Sequence, residues 1–204
     1  NNCVIKIVAG GSGDLYRSLT ANQCGDLFLP GLESYIENCR QAELISQITL
    51  VGSNQIALIV AQGNPLRIAN HLDSLKNRNY RVVIGNPEMS SCGRESREIL
   101  QKEGLYDEVL ANALFLTADS KDLIEVLLKG QADLTFTWRA TIFSPQARDR
   151  LEAVTLPAQQ APTRKLLIGL LRYSINPDLA RAFIKFTASP EGAAIFGAHG
   201  FARQ

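Results

Sequence analysis

Four small residues at 90–93, Ser-Ser-Cys-Gly, stand between a predicted strand and a predicted helix, where they could bind an anion. The apolar run RVVIG at 81–85 predicts the strand, and the pattern at 93–102 predicts the helix. The first N–H groups of a helix have no partner within it, so Ser91, Cys92 and Gly93 could donate N–H groups and a hydroxyl. Serine is also favoured as an N-cap, and capping alone accounts for the same residues. The two roles are compatible, and we expect contact with an anion here.

Residue types suited to catalysis are present, but not in catalytic arrangements. The histidines, His71 and His199, lie in a polar helical segment and in the glycine-rich end of the chain, away from any Ser or Cys motif. The sequence contains no nucleophile elbow, zinc-protease, phosphate-loop or dinucleotide motif. Cys92 at a helix N-terminus could be nucleophilic, yet no base accompanies it. We therefore expect no enzyme activity, no bound metal and no cofactor.

The composition argues against two classes of partner. The 204 residues include 21 Lys and Arg and 20 Asp and Glu, a net charge of +1 that provides no extended basic surface. No apolar run approaches the roughly 18 residues of a membrane span. We expect one large or two small domains, no nucleic-acid partner and no direct membrane insertion.

The four cysteines do not follow the spacing of a zinc or redox site. They are Cys3, Cys24, Cys39 and Cys92. An exported protein could form a disulfide, and Cys24–Cys39 is the first candidate because these residues flank one predicted strand and helix. The alternative is four free thiols, and the sequence leaves both open because geometry decides pairing.

Short β-rich runs alternate with helical patterns along most of the chain, which favours an α/β fold with mainly parallel sheets flanked by helices. Strands are predicted at residues 4–9, 25–30, 48–52, 55–63, 81–85, 109–116, 132–138, 151–157 and 165–171. Helices are predicted at residues 32–45, 69–77, 93–102, 121–130, 177–188 and 190–198. At the last helix, Ser189, Pro190 and Glu191 supply an N-cap, a first helical proline and an acidic first turn.

Two breaks rich in Pro, Gly and Gln, at 63–65 and 157–164, divide the chain into two predicted lobes. If the chain crosses between lobes at both breaks, residues 65–160 form one lobe, and residues 1–63 with 164–204 form the other. The two crossings would act as a hinge, with a ligand in the cleft between the lobes.

Six segments, taken in order, resemble the periplasmic molybdate-binding proteins and the wider family of solute-binding proteins of ABC transporters. They are AGGSGDLYRSL (9–19), GDLFLPG (25–31), IALIVAQGNP (56–65), GNPEMSSCGRESREIL (85–100), LLKGQADLTFTWRA (127–140) and SPEGAAIFGAHGF (189–201). Each is weakly specific by itself, but their common order extends over nearly the whole chain. The resemblance implies a two-lobe type II periplasmic-binding-protein fold that closes on a small ligand.

The resemblance also implies a site in which neutral donors hold a dehydrated tetrahedral anion. It assigns the hydroxyl of Ser12 to the ligand, with Gly11 and Gly13 allowing close approach of the backbone. The further members that it implies are Gly31, Ser91, Cys92, Gly93, Ser120 and Trp138. Each position also has a purely structural interpretation, as a turn, a helix start, a cap or core packing.

The chain departs from the family pattern in ways that affect the ligand. It starts after the strand and helix entry with which the family normally begins, and we expect this element to be absent or removed. Its absence would expose a sheet edge or require a partner to fill the gap. Trp138 replaces a ligand Tyr and can donate but not accept, while Pro30-Gly31 replaces Ser-Ala. Arg94 and Arg139 are the nearest cations, and either would suit a carboxylate or phosphate better than molybdate. The alternative is that both are surface arginines without a role in binding.

We expect a periplasmic or otherwise extracytoplasmic protein that captures a small anion, molybdate or tungstate first, for an ABC importer. Its membrane subunits would recognise the closed form. A carboxylated or phosphorylated metabolite is the next candidate ligand. The same fold also serves as the effector-binding domain of transcription regulators and in adhesin-like relatives that bind carboxylates or phosphoesters, and these alternatives stay open.

Overall fold

The fold is organised around one long strand. In the computed structural model, which describes residues 3–202, strand β2 spans Ile45–Ala61. The other strands are β1 (Leu27–Phe28), β3 (Val82–Gly85), β4 (Ala113–Thr117), β5 (Leu134–Trp138), β6 (Leu151–Val154) and β7 (Thr163–Leu171). The helices are α1 (Ser12–Asn22), α2 (Glu33–Gln41), α3 (Ser91–Lys102), α4 (Tyr106–Asn112), α5 (Ser120–Leu128), α6 (Pro177–Thr187) and α7 (Pro190–Ala198), with 3₁₀ turns at Leu72–Lys76 and Arg139–Phe143.

Strand β2 takes part in two sets of hydrogen-bonded strands. Its first part, from Ile45 to Gln55, pairs with β7, and its second part, from Ile56 to Ala61, pairs with β5 and β6. The strand order is β1-β7-β2-β5-β3-β4, with β6 paired to β2 off this path. The sequence predicted two strands here, at 48–52 and 55–63. They form one strand because Ser53 and Asn54, which lie in the predicted gap, stay paired with Lys165 and Arg164 of β7.

The predicted parallel pairing is found among β3, β4 and β5. The pairs that involve β2 or β7 are antiparallel. Helices α3 and α5 pack against β3 and β5, and α2 packs against β2 and β7. The α/β fold predicted from the alternation is confirmed, but the sheet is mixed rather than mainly parallel. The division into lobes with hinges near 63–65 and 157–164 stays a prediction, and the change of partner on β2 falls between Gln55 and Ile56.

Residues 3–10 form neither helix nor strand, so the strand predicted at 4–9 is wrong. No strand in the described part of the chain pairs with them, and Val4 and Ile7 are 96% and 82% exposed. An apolar run can favour extended backbone, but a strand forms only where a neighbouring strand exchanges backbone hydrogen bonds with it.

Two other predicted elements change type. The strand predicted at 109–116 begins only at Ala113, after helix α4. The acidic residues Asp107 and Glu108 in the first turn of α4 interact favourably with the helix dipole, and the side chain of Val109 is buried. The helix predicted at 69–77 is a short 3₁₀ turn, in which the His71 side chain accepts a hydrogen bond from the N–H of Asp73 (3.2 Å).

The four cysteines are free thiols, so the structure contains no Cys24–Cys39 disulfide and agrees with the alternative of four free thiols. Cys39 and Cys92 are buried, whereas Cys3 and Cys24 are exposed. Burial raises the pKa of the Cys39 thiol to about 11. Among the described helices, none has the length and apolar character needed to cross a membrane.

Tyr35, on α2, is fully buried, and its hydroxyl has no hydrogen-bond partner among the described residues. Its ring is held by the Arg94 guanidinium, 4.2 Å from the ring centroid. Burial raises the pKa of Tyr35. We expect Tyr35→Phe to raise the free energy of unfolding by about 1 kcal/mol, because the variant no longer buries an unsatisfied hydroxyl. Urea unfolding followed by circular dichroism measures the change.

Tyr173→Phe is the matched control for this prediction. The Tyr173 hydroxyl donates to the carbonyl oxygen of Leu19 (3.3 Å), so its removal is expected to lower the free energy of unfolding by about 1 kcal/mol. A loss of stability in Tyr35→Phe as large as that in the control would contradict the prediction.

Candidate functional site

The starts of three helices meet at one place. The N–H of Gly31, just before α2, donates to Ser12 Oγ at the start of α1 (3.1 Å). The N–H of Gly13 donates to the carbonyl oxygen of Met89, just before α3 (3.1 Å). A Cβ atom at Gly31 would overlap Ser91 Oγ, the first residue of α3. Residues 12, 31 and 91, far apart in sequence, are therefore neighbours.

Trp138, at the end of β5, completes this group. Its Nε1–H donates to Ser91 Oγ (2.9 Å), and the side chain is 5% exposed. We call Ser12, Gly31, Ser91 and Trp138 the cradle. The single Trp N–H is used to orient Ser91, because an indole has one donor and no acceptor.

The two cradle hydroxyls are oriented as donors. Ser12 Oγ accepts from the Gly31 N–H, and Ser91 Oγ accepts from the Trp138 ring. Each hydroxyl therefore retains its own proton, for which no acceptor occurs among the described residues. Both serines are 7% exposed. Such an arrangement offers two hydroxyl donors at a place largely shielded from water.

The N-terminus of α3 adds backbone donors to the cradle. The helix begins at Ser91, two residues earlier than predicted, and its N-cap is Ser90, whose hydroxyl accepts from the Gly93 N–H (3.1 Å). Gly93 therefore has its N–H occupied, whereas the N–H groups of Ser91 and Cys92 have no acceptor among the described residues. The Ser-Ser pair encodes both functions, since the first serine caps the helix and the second faces the cradle.

Two glycines allow close backbone contacts here, Gly11 with the segments before α3 and α5, and Gly93 with the turn that leads from β3 into α3. A Cβ atom at Gly11 would lie 2.5 Å from the carbonyl oxygen of Met89 and 3.1 Å from that of Ala118. At Gly93 it would lie 2.5 Å from the carbonyl carbon and oxygen of Asn86. Because the contacting atoms belong to the backbone, a larger residue at either position would push the elements apart.

Ser120 lies at the first position of α5, whose N-cap is Asp119. The Asp119 carboxylate accepts from the N–H groups of Lys121 (2.8 Å) and Asp122 (3.0 Å). This helix start therefore already carries its own negative charge. No described hydrogen bond joins Ser120 to the cradle.

The two candidate arginines point to aromatic rings. The guanidinium of Arg94 lies over Tyr35, and that of Arg139 lies 5.6 Å from the ring centroid of Phe143. Neither forms an ion pair or a hydrogen bond with a side chain that the structure describes. The cradle consequently consists of neutral donors.

A cavity of about 320 Å³ adjoins the cradle on the side of Gly31 and Trp138. Its other lining residues are Leu29, Pro30, Asn54, Ala140, Thr141, Leu166, Phe196 and Phe201. Asn54 was missed in the sequence because it lies where a break between two strands was predicted. Asn54 lies beside the candidate site because β2 continues through this position as one strand.

A second cavity, of about 440 Å³, lies between α2, α3, β2 and β7. At its side an ion pair joins Arg164 on β7 to Glu95 on α3, with 2.8 Å between Arg164 Nε and Glu95 Oε1. The Glu95 side chain is fully buried, and its Oε2 has no partner among the described residues. Burial raises the pKa of Glu95, although the Arg164 guanidinium opposes that effect. Sequence reasoning missed this pair, since 69 residues separate its members.

Residues 1–202 match the family model of bacterial extracellular solute-binding proteins. The chain belongs to this family. It is 24% identical to the molybdate-binding protein ModA of Mycobacterium tuberculosis over 200 residues, which are 98% of this chain and 74% of that protein. It is also 24% identical to a sulfate-binding protein of Synechococcus elongatus, over 94% of this chain and 61% of that protein.

The fold of this solute-binding protein is shared with solved structures. The periplasmic molybdate-binding protein of Azotobacter vinelandii superimposes with a TM-score of 0.82 at 19% identity, over 99% of this chain and 88% of that one. The family and the type II periplasmic-binding-protein fold predicted from the six sequence segments are thereby confirmed. The ligand-binding residues stay a prediction.

Proposed function

We propose that this solute-binding protein captures a tetrahedral oxyanion in the cradle and delivers it to the membrane subunits of an ABC importer. The observation that carries the proposal is the pair of buried serine hydroxyls, each oriented by an accepted hydrogen bond and each retaining its own proton. Relatives that bind molybdate and sulfate, both tetrahedral oxyanions, support the same class of ligand. Molybdate and tungstate are the inorganic ligands to test first. The proposed location is outside the cytoplasm.

Neutral donors suit an anion that the protein must later release. Two hydroxyls and the N–H groups of Ser91 and Cys92 can bond to different oxygens of a tetrahedron, and the N-terminus of α3 favours negative charge. A hydrogen bond to a charged group contributes about 1.5–3 kcal/mol, so a few of them give useful affinity without a permanent ion pair. The proposed function includes no catalytic step, and the Cys92 thiol is fully buried beside Ser90.

The cradle also provides a reason for the lobes to close. In the proposed division, Ser12 and Gly31 belong to one lobe, whereas Ser91 and Trp138 belong to the other. Both hydrogen bonds of the cradle join residues of the same lobe. An anion that accepts from Ser12 and Ser91 together would link the lobes, and its binding energy would favour the closed form.

Isothermal titration calorimetry tests the proposal with molybdate, tungstate, sulfate and inorganic phosphate, with chloride as the control anion. We expect saturable binding of at least one tetrahedral oxyanion and none of chloride. At about 100 times its Kd such a ligand adds about 2.7 kcal/mol of stability, which raises the Tm by roughly 5 to 10 °C. Citrate is titrated in parallel as a carboxylate that lacks a tetrahedral group. Binding of citrate alone would instead assign the site to Arg94 and Arg139, and binding of none of these anions would overturn the proposal.

A further inference from the structure

The cavity of about 320 Å³ beside the cradle has two walls in common with it, Gly31 and Trp138. Most of its remaining lining is apolar, including Leu29, Leu166 and Phe201. Leu29 is 42% exposed, so this side of the cavity reaches the surface. Its volume is in the range of about 300 to 1,000 Å³ that small organic ligands occupy. A ligand held in the cradle could therefore extend past Trp138 into an apolar space.

The aromatic wall of the cavity is fixed by backbone hydrogen bonds. Ser53 and Ala202 exchange two of them, N–H to carbonyl oxygen in each direction at 2.9 Å. This bridge holds the segment that carries Phe201, whose ring meets that of Phe196 edge to face with 5.7 Å between centroids. The wall is thus tied to β2, the central strand of the fold.

Asn54 places one polar group in this apolar surrounding. Its Oδ1 accepts from the N–H groups of Gln55 (2.9 Å) and Ala140 (3.4 Å). Because two donors face Oδ1, the side-chain amide is held in one orientation, with Nδ2 at the opposite side. The residue is 9% exposed, and no acceptor for Nδ2 occurs among the described residues. This free amide N–H at the cavity wall can donate to a ligand acceptor placed there.

We propose that the ligand range of this protein includes organic oxyanions, whose tetrahedral group binds in the cradle and whose apolar substituent fills the cavity beside Asn54. This inference rests on the proposed function of the cradle. It adds the selection of an apolar group, because burying such a group against Leu166, Phe196 and Phe201 removes apolar surface from water. A phenyl ring is a suitable substituent because it can pack against the aromatic rings of this wall.

Methylphosphonate and phenylphosphonate are suitable probes, since they differ only in the apolar group. We expect calorimetry to give a Kd about ten-fold lower for phenylphosphonate than for methylphosphonate. Ala140→Leu, which adds apolar volume inside the cavity, is expected to bring this ratio close to one and to leave the Kd of methylphosphonate nearly unchanged. Leu29→Ala removes part of the wall, and we expect this second variant to reduce the preference for phenylphosphonate as well.

Equal affinities of the two phosphonates for the unmodified protein would overturn the inference. So would a phenyl preference that survives in both variants. If methylphosphonate and the inorganic oxyanions bind while phenylphosphonate has no advantage, only the selection of an apolar group fails. If no oxyanion binds, the proposed function fails together with the inference.

Discussion

Replacing Arg164 with methionine is expected to lower the free energy of unfolding by about 3 kcal/mol, because it leaves the buried carboxylate of Glu95 without a counter-charge. The guanidinium is the described hydrogen-bond partner of Glu95, through Nε at 2.8 Å, and the carboxylate is fully buried. Methionine keeps most of the apolar volume of the arginine stem, so the loss measures the charge more than the packing. Urea unfolding at neutral pH gives the value.

Arg40→Met is the control for this variant. Arg40 pairs with Glu37 on the solvent side of α2, where both side chains are about half exposed, and its replacement should change stability little. A comparable change in Arg40→Met and Arg164→Met would show that burial of the Glu95 carboxylate does not matter.

The same pair predicts a pH dependence. Burial raises the pKa of Glu95, so the folded protein takes up a proton at a higher pH than the unfolded chain does. This proton uptake stabilises the fold below the ordinary glutamate value of 4.5, and the stabilisation is lost as the pH rises through the raised pKa. Glu95→Gln, which does not titrate, should lack this decrease in urea unfolding measured from acid to neutral pH. An unchanged pH profile in Glu95→Gln would assign the dependence to other groups.

The second large effect is expected on oxyanion affinity, when either cradle hydroxyl is removed. Ser12→Ala and Ser91→Ala are each expected to weaken oxyanion binding by roughly ten- to a hundred-fold, the value of one hydrogen bond to a charged group. The two variants should be similar because the hydroxyls face the same anion from different helices. Calorimetry with the tightest-binding oxyanion of the panel measures both.

Ser46→Ala is a matched control for the hydroxyl variants. Its hydroxyl donates to the carbonyl oxygen of Leu170 on β7, outside the cradle, so anion affinity should not change. Thermal unfolding of each variant separates a loss of binding from a loss of folding. Affinity that is unaltered in both Ser12→Ala and Ser91→Ala would exclude the cradle as the anion site.

Local signals in the sequence were sufficient where a helix start depends on a few adjacent residues. Ser189 accepts from the Gly192 N–H and begins α7 at Pro190, as its Ser-Pro-Glu pattern predicted. The Ser-Ser-Cys-Gly turn begins α3 in the same way, although the cap is Ser90 and the helix starts at Ser91. Capping involves atoms within three residues of one another, so sequence alone can specify it.

Contacts between segments that are far apart in the chain could not be predicted from such local signals. The apolar run at 4–9 has the composition of a strand, yet it is no strand because no described neighbour pairs with it. Asn54 lies between the strands predicted at 48–52 and 55–63, but the continuous pairing of β2 with β7 makes it part of a cavity wall. In both cases the outcome depends on which strand lies alongside, and a single segment does not contain that information.

The sequence by itself determined the family, the alternation of strands and helices, and the small residues that open α1 and α3. These properties follow from local composition and from the order of short motifs. The family resemblance also named Ser12, Gly31, Ser91 and Trp138 as members of one site. Only the tertiary structure decided how the two cradle hydroxyls are oriented, that an apolar cavity adjoins the cradle, and that Arg164 neutralises Glu95. The physical reason is that hydroxyl orientation, cavity shape and charge burial all depend on contacts between elements far apart in the chain, which exist only once the chain has folded.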